Sequence, residues 1–159
     1  MKRLFSSVLC VLCFIIGIYL LVDGISIGGK AKHKRILDMS VEDRANYLID
    51  NCKTLTYEEI ARNPDNFKND LVVFTGEVIQ VQDSILLVNV TYNGDEYYSY
   101  YTDTVYVKYK FADNLKILDG DIITLYGEIL GEKDYISVLG QKMTVPQIVV
   151  YYAVLNEKK

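Results

Sequence analysis

The chain has 159 residues, half of them apolar and a quarter charged, which fits one folded domain with a modest core and excludes a disordered chain. Its formal charge of −4 is unevenly spread: six of the 17 basic residues (Lys2, Arg3, Lys30, Lys32, Lys34, Arg35) precede Asp38, and from Asp38 onward 11 basic residues face 20 acidic ones, a net of about −9. A field of that sign repels phosphate backbones and weighs against nucleic acid as the ligand.

The first element is an apolar run, LFSSVLCVLCFIIGIYLLV at 4–22, with no charge and a basic start. Nineteen helical residues cover about 28 Å, close to the thickness of a bilayer core. The run is longer than the usual core of a signal peptide and no small-x-small cleavage site follows it, so an uncleaved transmembrane anchor over 1–28 is expected. Leu9 and Leu12 precede Cys10 and Cys13, which argues against a lipidation site; the two cysteines read as small hydrophobes in an apolar run. Residues 29–39 form a basic juxtamembrane linker that holds His33, the only histidine. One histidine without companion ligands makes neither a metal site nor a catalytic base.

A helical lead-in over 40–66 comes next. Ser40 with Asp43 three residues on resembles a capping box, and Val41, Ala45, Leu48, Ile49 and Cys52 recur at helical spacing. A second short helix is expected at TYEEIAR, 56–62, stopped by Asn63-Pro64-Asp65. Over 67–155 the pattern turns to strands. LVVFTGEVIQV (71–81) carries Gly76 in its middle, where a bulge or bend is expected. ILLVNVTY (85–92) and TVYVKYK (104–110) alternate, setting Leu86, Val88 and Val90, and Val105 and Val107, against the opposite faces. FADNLKIL (111–118) suggests one or two helical turns, Asp119-Gly120-Asp121 a turn, and IITLYGEIL (122–130) a fourth strand with Gly127 inside it. After GEKD (131–134), YISVL and MTVPQIVVYYAVL supply a fifth strand or a pair, with Pro146 marking an edge or bend. The expected fold is mainly β: a small five-stranded OB-like Greek-key barrel preceded by one or two short helices and an N-terminal transmembrane helix. An SH3-like barrel or an open sandwich are the alternatives.

The stretches CKTLTYEEIARNPDNFKND (52–70), VVFTGEVIQV (72–81), DTVYVKY (103–109), ILDGDIITLYGEILG (117–131) and SVLGQKMTVPQIVVYY (137–152) resemble a family of uncharacterised, mostly Gram-positive bacterial proteins. Its members carry an OB-like, tRNA_anti-like domain behind a signal, lipoprotein or membrane anchor. The resemblance implies the barrel fold and, with the anchor, a single-pass cell-membrane protein whose domain lies outside the cytoplasm. It brings no active-site residues.

Catalytic signals are absent from the domain sequence. It has no histidine, its serines (Ser40, Ser84, Ser99, Ser137) stand in no nucleophile motif, and Cys52 has no partner base. Acid pairs such as Asp119 and Asp121 are what 20 acids give by chance, and no calcium-loop spacing occurs. No enzyme, metal site or cofactor is therefore expected. The informative feature is tyrosine, 14 in the chain and dense between the second and third strands. Tyr97, Tyr98, Tyr100, Tyr101 and Tyr106, with Asn89, Thr91 and Lys108, are the candidate ligand-binding residues, because strands 2 and 3 and their loops form the usual OB ligand surface. Tyrosine gives contact area at low entropy cost and keeps a hydroxyl for hydrogen bonding. The expected function is a non-enzymatic, membrane-anchored interaction module for a protein, peptide or glycan at the cell surface. A nucleic-acid-binding OB domain is the alternative, disfavoured by the acidic charge.

Overall fold

The computed structural model describes residues 32–95, 97–109, 115–137 and 140–157. The chain divides into two compact units, Met1–Asp38 and Met39–Lys159. In the first, residues 32–37 are helical. Among the described residues no helix is long and apolar enough to cross a membrane. The expected transmembrane helix lies at 4–22, outside the described residues. The anchored fold, the single-pass membrane location and the extracytoplasmic placement are therefore withdrawn.

The second unit opens with helix α1 (Val41–Asn51), whose N-terminus is closed by Ser40 accepting from the Asp43 amide at 3.1 Å. Its buried positions are Leu48 and Arg44; Val41 and Ile49, expected on the apolar face, are exposed. A two-residue strand β1 (Lys53–Thr54) follows, then helix α2 (Tyr57–Arg62), capped by a reciprocal Thr56–Glu59 box. A 3-10 turn, Pro64–Phe67, leads into the barrel.

The barrel strands are β2 (Leu71–Gln82), β3 (Ile85–Gly94), β4 (Ser99–Tyr109), β5 (Ile122–Ile136) and β6 (Lys142–Glu157). Strands β2, β3 and β4 pair as an antiparallel meander; β4 then pairs parallel to β6, β6 antiparallel to β5, and β5 returns antiparallel to β2. Each of these five strands has a neighbour on both sides over part of its length, and the circuit is that of an OB-like barrel. The interior is filled by the alternating residues Val72, Phe74, Val78, Leu86, Val88, Val105, Val107, Ile123, Leu125, Ile129, Ile148 and Val150, joined by Ile60 of α2.

Two glycines make the closure possible. Strand β2 pairs with β5 from Leu71 to Glu77 and with β3 from Glu77 to Gln82, so it changes partner beside Gly76. A Cβ on Gly76 would collide with the Asn89 carbonyl, and one on Gly127 with the Val149 carbonyl. Gly127 also stands where the β5–β6 register shifts. Both are places where one backbone must approach another more closely than any side chain permits.

Three local expectations are corrected. Residues 115–118 have no helical turn, and 110–114 lie outside the described residues. The fourth strand, expected to end at 130, does not stop before GEKD: β5 runs through that segment to Ile136, with Gly131 at φ +107° beside a register shift. Pro146 lies within β6 and is buried; pairing of β6 with β4 begins one residue later, at Gln147, so the missing N–H costs no ladder bond on that side.

The Gly127→Ala variant is expected to lose about 1–3 kcal/mol of unfolding free energy through the forced separation of β5 and β6. A urea melt measures this, and a midpoint equal to wild type would show that the strands separate without cost.

Candidate functional site

The outer wall of β3 and β4 carries the site, and strand register builds it. Gln80 pairs with Leu87, Leu87 with Tyr106, and Tyr106 with Gln147, which makes one transverse row across four strands. The adjacent row is Gln82, Ile85, Lys108 and Val149. Because Leu86, Val88, Val105 and Val107 turn into the core, the residues between them face outward. Over these rows lies an open pocket of about 180 Å³ lined by Gln80, Gln82, Ile85, Leu87, Tyr106, Tyr135 and Ile136. A second, of about 230 Å³, is lined by Asp134, Tyr135, Ile136, Gly140 and Lys142 and shares two of those residues. Ile136, 75 % exposed, belongs to both. The face is bounded by the tight β2–β3 turn, where Asp83 adopts φ +52°, and by the β5–β6 connection, the two loops that flank ligands in OB domains.

The expected residues divide into three groups. Tyr106 lines the pocket, and Lys108 is its neighbour on the same face. Asn89 and Thr91 continue that face toward the hairpin tip, in register with Thr104 and Thr102. The Asn89 amide is already used: it donates to the Tyr101 carbonyl at 3.1 Å and accepts from the Thr104 hydroxyl at 2.8 Å, tying β3 to β4. Tyr97, Tyr98, Tyr100 and Tyr101 lie at the far end of the hairpin. Tyr97 is 90 % exposed, the rings of Tyr98 and Tyr100 stand 5.5 Å apart, and Tyr101 meets Tyr92 edge-on at 5.3 Å. By register Tyr101 and Tyr92 belong to the core-side parity, so the tyrosines do not form one continuous platform.

Sequence reasoning missed Gln80, Gln82, Ile85, Leu87, Tyr135 and Ile136. Two signals pointed to them: the i, i+2 spacing of Gln80 with Gln82 and of Ile85 with Leu87 on the non-core parity. Tyr135 and Ile136 were placed in a separate strand after GEKD rather than in β5.

The electrostatics of the face differ from those of the whole domain. Its pockets hold one carboxylate, Asp134, and one ammonium, Lys142, which pair at 2.8 Å. Hydrogen bonds from Lys142 and the Thr144 hydroxyl hold the Asp134 carboxyl below its usual range, and Asp134 raises Lys142 in turn. Lys108 lies on the same outer face of β4 as Tyr106. The one carboxylate and one ammonium among the pocket linings cancel, so the net −9 is not concentrated on the linings, and the reading of nucleic acid as a disfavoured partner is corrected on this ground. Among the described residues no group of three or more His, Cys, Asp and Glu side chains is placed to hold a metal.

No protein-family model matches this sequence, and no curated protein matches it. Solved structures are similar to it only remotely. A small single-stranded DNA-binding protein from Streptomyces coelicolor is 13 % identical, with a TM-score of 0.42 over 55 % of this chain and 94 % of that one. The mitochondrial single-stranded DNA-binding protein Rim1 from S. cerevisiae is 10 % identical, with a TM-score of 0.33 over 58 % and 99 %. The aspartyl-tRNA synthetase from Entamoeba histolytica is 14 % identical, with a TM-score of 0.40 over 68 % of this chain and 22 % of that one. Likeness this remote bears on neither ligand nor activity. An OB-fold-like barrel is therefore what this chain contains, established by its own strand order. The family resemblance, which joined that barrel to a membrane anchor, is corrected, and the cell-surface ligand of protein, peptide or glycan that depended on the anchor is withdrawn with it.

The hairpin tip is held by Asp95, whose carboxylate accepts from the Tyr97 and Tyr98 amides, each at 2.8 Å, and is thereby kept below the usual aspartate range. A depressed folded value means that this contribution is present above the unfolded value, near 3.9 for aspartate, and is lost as pH falls through the folded one. Amide exchange at Tyr97 and Tyr98, corrected for its intrinsic pH dependence, should lose protection only below that range. Protection unchanged down to complete carboxyl protonation would show that the turn holds without the carboxylate.

Proposed function

We propose that the barrel is a non-enzymatic OB-like module that binds single-stranded nucleic acid, laying bases across the outer wall of β3 and β4. The observation that carries this reading is the open pocket in which two tyrosines, Tyr106 and Tyr135, stand with the amides of Gln80 and Gln82 over an apolar floor of Ile85 and Leu87. Each component suits an unpaired nucleotide. Tyrosine faces stack on any base, and glutamine amides donate and accept at base edges. Lys108, beside Tyr106 on the same face, is placed for a phosphate. The exposed hairpin tyrosines Tyr97, Tyr98 and Tyr100 extend the stacking surface along the strand.

The acidic remainder of the domain shapes this binding rather than preventing it. Few cations face the ligand, so few counterions are released, and stacking supplies most of the affinity. Binding to the full chain is measured by anisotropy with a labelled oligothymidylate of about 12 nucleotides, a length within the usual reach of one OB fold. Tyr106→Ala and Tyr135→Ala should each weaken it about 5- to 100-fold. The salt dependence should be shallow, with a slope of log K against log salt of about −1. The absence of an anisotropy change with DNA and RNA oligonucleotides alike, even at low salt, would reject the reading.

A further inference from the structure

We propose that Asp134 restrains the nucleic-acid face by holding the Lys142 ammonium, which the phosphate of a bound strand must take over. The inference rests on the nucleic-acid reading above and names a residue that works against that binding.

Strand register assembles the parts. Along the β5–β6 ribbon Asp134 pairs with Thr144 and Ile136 with Lys142, so the four side chains share one face. The Lys142 Nζ stands 2.8 Å from Asp134 Oδ2, and the Thr144 hydroxyl donates to Asp134 Oδ1 at 2.6 Å. Asp134, Ile136 and Lys142 line the second pocket, which shares Tyr135 and Ile136 with the pocket proposed to take a base. The two pockets therefore adjoin, and Lys142 is the only cation in their linings.

Two properties make the carboxylate a restraint rather than a staple. The side chains of Lys142 and Asp134 are 73 % and 53 % exposed, and an ion pair so open to water adds little to stability. The pair is therefore exchangeable: phosphate oxygens accept from an ammonium as a carboxylate does. Thr144 holds Asp134 independently of Lys142, so the carboxylate stays at the pocket after the exchange and repels the incoming phosphate. Each phosphate that a cation neutralises adds to affinity through counterion release, and here that gain is offset by an acid already in place.

The test is a double-mutant cycle on the full chain, read by anisotropy with the labelled oligothymidylate, for wild type, Asp134→Asn, Lys142→Gln and the double variant, with a thermal melt of each. Asparagine keeps an oxygen for the Thr144 hydroxyl and removes the charge. Asp134→Asn should bind about 3- to 10-fold more tightly than wild type at low salt, and its slope of log K against log salt should steepen by about 0.7, as for one more phosphate neutralised on a single strand. In the Lys142→Gln background the same substitution should gain less than about twofold, and all melts should lie within about 3 °C of wild type. A gain as large in the Lys142→Gln background overturns the assignment, because the carboxylate then acts by net charge and not through Lys142. No gain in Asp134→Asn while wild type binds overturns it and leaves nucleic-acid binding in place. A melt of Asp134→Asn well below wild type overturns it too, since the pair would then hold the hairpin. Absence of binding by wild type and every variant overturns the nucleic-acid reading and this inference with it.

Discussion

Strand β2 must hydrogen-bond to two partners on opposite sides, β5 through its first half and β3 through its second, and everything else in the domain depends on that exchange. A straight strand cannot make it in so small a circuit. The bend falls where Gly76 lets the Asn89 carbonyl approach inside the radius of a Cβ, and Gly127 gives the same freedom between β5 and β6. With both in place, the short parallel β4–β6 pairing at Tyr106–Tyr109 closes the circuit. The outer row Gln80, Leu87, Tyr106 and Gln147 is built from four strands lying side by side in this sheet.

Net charge misleads for a wall of this kind. The excess of acids is a sum over the whole surface, whereas exposed charges further apart than about 10 Å are largely screened at ordinary salt. Among the pocket linings the charges cancel in the Asp134–Lys142 pair. The acidic remainder acts on the encounter rate and on the number of phosphates the surface can hold. It does not act on the stacking of a base against a tyrosine, which is why charge and aromatic content pointed to different ligands when read from composition.

Much of the barrel was legible because its signals are local. The alternation of Val105 and Val107 against Tyr106 and Lys108 has the period of a strand with one buried side, and Gly76 and Gly127 sit mid-strand where only a bend explains them. The β5 extension was not legible: Gly-Glu-Lys-Asp has the composition of a turn, and only pairing with β6 keeps those residues extended, with Gly131 absorbing the irregularity at positive φ. The site was half legible for a related reason. A tyrosine cluster is visible in one dimension and drew attention to the hairpin tip. Gln80, Gln82 and Tyr135 carry no local signature, since their meaning comes from register across strands far apart in sequence. The apolar run at 4–22 was legible as composition, but it falls outside the described residues, and no helix among those described is long and apolar enough to cross a membrane.

The two outer sides of the barrel wall differ in how their polar and apolar groups are arranged. Where β5 and β6 run beside α1, polar groups are turned inward and satisfied. Tyr151 donates its hydroxyl to the buried Glu128 carboxylate at 2.9 Å, and burial beside that carboxylate pushes the phenol far above its usual range. Arg44 of α1, itself buried, donates to the Tyr151 carbonyl and to that of Met39. Such groups are expensive to bury and are tolerated because each finds a partner. On the Tyr106 side no helix of the domain contributes to the pocket lining, the apolar residues Ile85, Leu87 and Ile136 line an open cleft, and the one deeply buried amide lacks an acceptor. The wall thus buries the Tyr151–Glu128 hydrogen bond beside α1, while on the other side two tyrosine rings and an apolar floor lie open, which is the surface the proposed function uses.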